Sequence, residues 1–68
     1  MNNDLILHNN LKQYRTAKNL SQEELARLVG TTRQIIIAVE KGPFNPSAKL
    51  ALLLCTALDV KFEQLFYF

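Results

Sequence analysis

The sequence has 68 residues, 49% of them hydrophobic, with one cysteine, one histidine and a net charge of +2. A chain of this length makes one domain, here residues 1–68, and buries only about 60% of the surface its unfolded form exposes. A lone Cys55 closes no internal disulfide, no Cys/His cluster suggests a metal, and one His with one Cys gives catalysis no nucleophile–base pair. An enzyme, a metalloprotein and a stapled scaffold are therefore set aside, and no cofactor or small-molecule ligand is expected.

Met1 to Asp4 lacks the basic region of a signal peptide. No apolar run approaches the ~18 residues of a membrane span, so a cytoplasmic chain without membrane contact is expected. The apolar share is generous for so small a domain, a first reason to expect a homodimer, which would bury more of it.

Asp4 to His8 is a short apolar run. A first helix fits about Asn9 to Lys18, with Leu11, Tyr14 and Leu20 beginning the buried series and Asn19 as the stop. Ser21-Gln22-Glu23-Glu24 is a capping box, opening a helix to Val29 that Gly30 ends. Thr31-Thr32 caps a third helix to about Lys41. Ile35, Ile36 and Ile37 read equally as a strand, but length and flanking caps favour a helix, and Gly42-Pro43 stops it.

Ser47 caps a fourth helix to about Leu58, with Leu50, Leu53, Leu54, Ala57 and Leu58 as its apolar stripe. After the Asp59-Val60 turn, Lys61 to Leu65 makes one or two helical turns. The strand-prone Phe66-Tyr67-Phe68 is expected to pair antiparallel with Leu5 to Leu7. The fold class expected is all-α, with five helices and a short terminal two-stranded β-ribbon.

The informative block is about 21–41. Two short helices are joined by Gly30 and a threonine pair, and Leu25, Val29, Ile36 and Val39 recur at spacings that face inward. Ala26 sits where the two helices must cross closely. If Ile36 and Val39 face the core, Gln34, Ala38 and Lys41 point outward, flanked by Arg33 and Ile37.

A helix offered this way fits the ~12 Å major groove of B-DNA. Arg33 and Gln34 occupy the first turn, where side chains reach base edges: Arg can donate twice to guanine, and Gln can pair with adenine. Ile37 and Ala38 have no hydrogen bond to offer and can only pack on thymine methyls. Burial of Ile35 is left open, whereas Ile37 leans outward.

Leu20-Ser-Gln-Glu-Glu-Leu-Ala, Val29-Gly-Thr-Thr-Arg-Gln, Ile36, Val39-Glu-Lys-Gly and Asn45-Pro-Ser together resemble the phage-repressor and Cro type of helix-turn-helix, the xenobiotic-response-element family of regulators. The resemblance runs from about Asn9 to Leu65. It implies a five-helix repressor-like domain from a bacterial or phage regulator, most often a repressor, bound to a palindrome in double-stranded DNA as a homodimer. It also implies that Gln22 contacts a phosphate and braces Gln34, that Thr32 and the loop Lys41 to Asn45, with Phe44, meet the DNA backbone, and that Arg33, Gln34, Ala38 and Ile37 read bases. Arg15 and Glu40 match an ion pair joining the first and third helices.

Four positions depart from the family pattern. Ile35 and Ile37 stand where polar residues are common, so a thymine-rich operator is expected. Pro43 replaces a frequent lysine, and Lys61 replaces a small cap, which predicts fraying of the last helix.

Phe62, Phe66, Tyr67 and Phe68 are read as core or dimer interface, His8 as a solvated residue, and Cys55 as a small buried apolar group. Two alternatives share the fold: an antitoxin, for which no toxin-covering segment is left, and a protein-interaction module, favoured by Leu28, Ile35 and Ile37.

Overall fold

Three hydroxyl caps set where three of the helices begin. In the computed structural model, which describes residues 5–68, the chain runs β1 (His8–Asn9), α1 (Leu11–Ala17), α2 (Gln22–Val29), α3 (Arg33–Lys41), α4 (Ala48–Leu58), α5 (Phe62–Leu65) and β2 (Phe66–Tyr67). Ser21, Thr32 and Ser47 each accept a hydrogen bond from the backbone N–H three residues on, at 3.0, 3.3 and 3.1 Å. Glu24 returns the bond to the Ser21 N–H at 2.8 Å, completing the capping box. Gly30 ends α2 at φ +74°, and Asn19 and Asp59 take the same left-handed turn after α1 and α4.

The core is a single cluster drawn from every helix. Leu11, Leu25, Ile36, Val39, Leu54, Leu58 and Leu65 are fully buried, each contributing about 1.5–3 kcal/mol by leaving water. α2 packs mainly on α3 and then on α4, and Ala26 is buried in that layer.

In α4 the inward residues are Ala51, Leu54, Cys55 and Leu58; Leu54 and Leu58 belong to the predicted stripe, whereas Ala51 and Cys55 do not. Leu50 and Ala57 are half-buried and Leu53 is exposed. α4 is apolar almost all round, so its composition marks no single face.

Both ends of the chain differ from expectation in register. β2 pairs antiparallel with His8–Asn9, His8 opposite Tyr67 and Asn9 opposite Phe66, and not with Leu5 to Leu7; Leu5 and Ile6 are exposed. Asn9 decides the register through its side chain: Oδ1 accepts from the Leu11 N–H at 3.0 Å, and Nδ2 donates to the Val39 carbonyl at 2.9 Å. These bonds also delay α1, which starts at Leu11 rather than Asn9. Asn10 Nδ2 donates to the Gln64 carbonyl at 3.1 Å, tying the start of the chain to α5.

Lys61 has no side-chain acceptor to cap α5, but Gln64 Oε1 accepts from the Lys61 N–H at 2.8 Å and holds that single turn. No helix among the described residues is long and apolar enough to cross a membrane.

Candidate nucleic-acid interface

The turn between α2 and α3 is fixed by backbone bonds. The Thr31 N–H donates to the Ala26 carbonyl at 2.9 Å, and Thr32 then starts α3 in a new direction. Ile36 and Val39 are wholly buried, which rotates the opposite side of α3 outward. Arg33, Gln34 and Lys41 are exposed, while Ile37 and Ala38 are half-exposed between them.

The three isoleucines therefore separate. Ile36 is core, Ile35 packs against the core from its margin, and Ile37 is no part of it.

A polar network joins α1, α2 and α3 behind this face. Arg15 Nε donates to Glu40 Oε2 at 2.6 Å, and Arg15 Nη2 reaches Oε1 at 3.3 Å. Only 10% of the Arg15 side chain and 7% of that of Glu40 remain exposed. Arg15 Nη1 also donates to the Leu20 carbonyl at 2.7 Å.

Gln22 Nε2 donates to Glu40 Oε1 at 3.1 Å. Gln22 is thus held by Glu40, whose Oε1 it shares with Arg15. Neither this bond nor the role of Asn9 shows in hydrophobic periodicity. The neighbouring Asn9-Asn10 pair ahead of the helix is the only sequence signal for the latter.

Beyond α3, Gly42 takes φ +106°, and Pro43, Phe44 and Asn45 are exposed. Phe44 also lines an apolar groove with Ile35, Leu50 and Leu53, so part of its ring serves packing. Lys49, in the first turn of α4, is exposed near this loop. The cations Arg33, Lys41 and Lys49 thus lie on α3 and α4, whereas Arg15 is neutralised by Glu40.

The aromatic end divides as well. Phe66 is 3% exposed and belongs to the core, so it drops out as an interface residue in its own right. Phe62, Tyr67 and Phe68 are exposed. Phe62 packs beside Phe66 with ring centroids 5.2 Å apart, and Tyr67 stacks on the exposed His8 at 5.5 Å. Exposed Leu52 joins Phe62, Ala51 and Leu7 around an apolar groove.

The helix-turn-helix family model HTH_3 matches residues 11–65, every helix of the fold. The chain belongs to the helix-turn-helix family. An uncharacterized HTH-type transcriptional regulator of Methanocaldococcus jannaschii is 47% identical over 62 residues, covering 91% of this chain and 94% of that protein.

Among solved structures, the restriction-modification controller protein C.AhdI of Aeromonas hydrophila superposes with a TM-score of 0.74 at 46% identity, over 79% of this chain and 82% of that one. The N-terminal DNA-binding domain of SinR from Bacillus subtilis gives 0.72 at 31% identity, over 78% of each chain. Membership of this helix-turn-helix family makes the protein a DNA-binding transcriptional regulator with a repressor-like fold, in a family whose members are not enzymes.

Proposed function

We propose that this helix-turn-helix protein is a cytoplasmic repressor that works as one domain, binding a palindromic operator in double-stranded DNA as a homodimer. The observation that carries this reading is the outward face of α3, with Arg33 and Gln34 in its exposed first turn and Ile36 and Val39 turned wholly inward. That arrangement offers two base-reading side chains to a major groove.

Gln22, Thr32, Lys41, Phe44 and Asn45 lie at the ends of α2 and α3 and in the following loop, and contact the phosphates on either side. The exposed Phe62, which lines the Leu52 groove, together with the exposed Tyr67 and Phe68, forms the dimer contact. Two copies then place their recognition helices about 34 Å apart, one turn of the duplex. Repression follows from excluding polymerase at the occupied site.

Of the apolar residues that would favour a protein-interaction module, Ile35 is taken up by the core margin, which weakens that alternative. The test is selection of binding sites from a random double-stranded pool, followed by titration at several salt concentrations. A palindromic consensus with a salt-dependent affinity supports the reading. Failure to enrich any site, or binding that ignores salt, overturns it.

A further inference from the structure

We infer that Ile37, with Ala38 beside it, is a specificity-determining residue that reads the 5-methyl group of thymine in each operator half-site; this rests on the proposed entry of α3 into the major groove. Hydrogen-bonding capacity on the outward stripe of α3 lies only at its ends: Arg33 and Gln34 in the first turn, Lys41 in the last. The middle of the stripe is Ile37 and Ala38, whose side chains have neither donor nor acceptor.

Ile37 is half-buried and stands outside the core cluster, unlike Ile35 and Ile36 just before it in sequence. The core itself therefore does not call for a large apolar side chain there. A β-branched residue in a helix is held almost entirely in one χ1 rotamer, so the Ile37 methyls project as a fixed surface and lose little freedom on binding.

The chemistry of the groove selects the partner. Guanine, cytosine and adenine present polar edges there, and the 5-methyl of thymine is the one apolar group among the four bases. Covering a polar edge with Ile37 would strip its water and return no hydrogen bond, whereas covering a methyl removes apolar surface from both sides.

Along the helix, Gln34 and Ala38 are separated by about 6 Å, so Gln34 reads a polar edge at one pair and Ile37 with Ala38 reads methyls at a different, nearby pair.

The experiment uses the full chain and the operator recovered by site selection, with each thymine of the half-site replaced in turn by deoxyuridine, which removes only the methyl. One or two positions are expected to lose affinity by about fourfold per methyl. At such a position, replacing the T·A pair by C·G weakens binding, and 5-methylcytosine in place of that cytosine restores about the same factor.

The variant Ile37→Ala, which leaves the core untouched, is expected to lose the difference between thymine and deoxyuridine. Deoxyuridine tolerated at every position, on an operator that still binds tightly, overturns the methyl readout and leaves the DNA-binding reading intact. Full sensitivity retained by a folded Ile37→Ala variant overturns the assignment to Ile37. A pool that yields no site at all removes the reading on which both rest.

Discussion

Glu40, near the end of α3, accepts the Gln22 side-chain amide at 3.1 Å while it pairs with Arg15 at 2.6 Å. One carboxylate therefore fixes the first residue of α2, the last turn of α1 and the last turn of α3 relative to each other. Removing one member of a buried pair leaves the other charged and unpaired, at a cost of about 3–5 kcal/mol. Glu40→Ala is expected to fall in that range by urea unfolding, a large share of the total stability of so short a chain. The double variant Arg15→Met with Glu40→Met is expected to recover most of the loss, because no orphaned charge remains. A double variant as unstable as Glu40→Ala would assign the effect to packing instead.

Gly30 closes α2 with φ +74°, and a Cβ built there meets nothing within 4 Å. The cost of a side chain is therefore conformational alone. Gly30→Ala is expected to destabilise by about 1–2 kcal/mol. Gly30→Asn should cost less, since asparagine enters the left-handed region more readily. Thermal unfolding separates the two, at roughly 4–8 °C per kcal/mol for a domain of this size. Equal melting temperatures for both variants would contradict the backbone explanation.

The capping box is expected to contribute to the acid sensitivity of the protein. The Ser21 backbone N–H, and then its hydroxyl, hold the Glu24 carboxyl below its usual 4.5. A carboxylate whose pKa is depressed by folding stabilises the fold above its unfolded value, and this support is lost as the pH falls through the folded value. The urea midpoint of the wild type should therefore decline below about pH 4.5 more steeply than that of Glu24→Gln, which keeps an acceptor but has no charge to titrate. Parallel curves for the two proteins would show that Glu24 is not a source of the acid sensitivity.

Much of this architecture is legible in the sequence because the decisive signals are local. Ser21, Thr32 and Ser47 act through bonds only three residues long, and the spacing of Ile36 and Val39 is enough to orient α3. The features that escape the sequence depend on distant partners. Asn9 is polar and short, and the Asn9-Asn10 pair marks a polar entry to the helix without announcing that the Asn9 amide reaches Val39, thirty residues away. The register of β1 follows from that bond, while β propensity points to Leu5–Leu7. In α4 the alternation of leucine and alanine leaves no polar side, so only the packing against α2 and α5 distinguishes Ala51 and Cys55 from Leu52 and Leu53. At the interface, the outward orientation is readable, but the bond from Gln22 to Glu40 needs the geometry of three helices.

Exposed Phe62 and Leu52 lie beside one groove, at the proposed contact between two copies. A charge placed there must stay hydrated in the dimer, while the monomer keeps its core through Phe66 and Leu65. Phe62→Glu is expected to shift light scattering from dimer to monomer with little change in helical signal. Affinity for a full palindrome should then fall towards that for a single half-site. A variant that remains dimeric would move the contact elsewhere.

Gln34 and Lys41 are both exposed on α3, yet they are expected to fail differently when truncated. A side chain that hydrogen-bonds one base edge contributes about 1–3 kcal/mol of discrimination at that pair. Gln34→Ala should therefore flatten the preference at a single position of each half-site and leave the rest of the consensus unchanged. Lys41, in the last turn, meets the backbone, whose charge is the same for every sequence. Lys41→Ala should weaken all sites alike and reduce the slope of log affinity against log salt by about one for each phosphate it no longer neutralises. Titrating both variants on the selected operator, on single-base variants of it and on unrelated DNA, at three salt concentrations, reads both effects in one series. Uniform weakening by Gln34→Ala would place that residue on the backbone. A base-specific loss from Lys41→Ala would place the end of α3 deeper in the groove than its first turn.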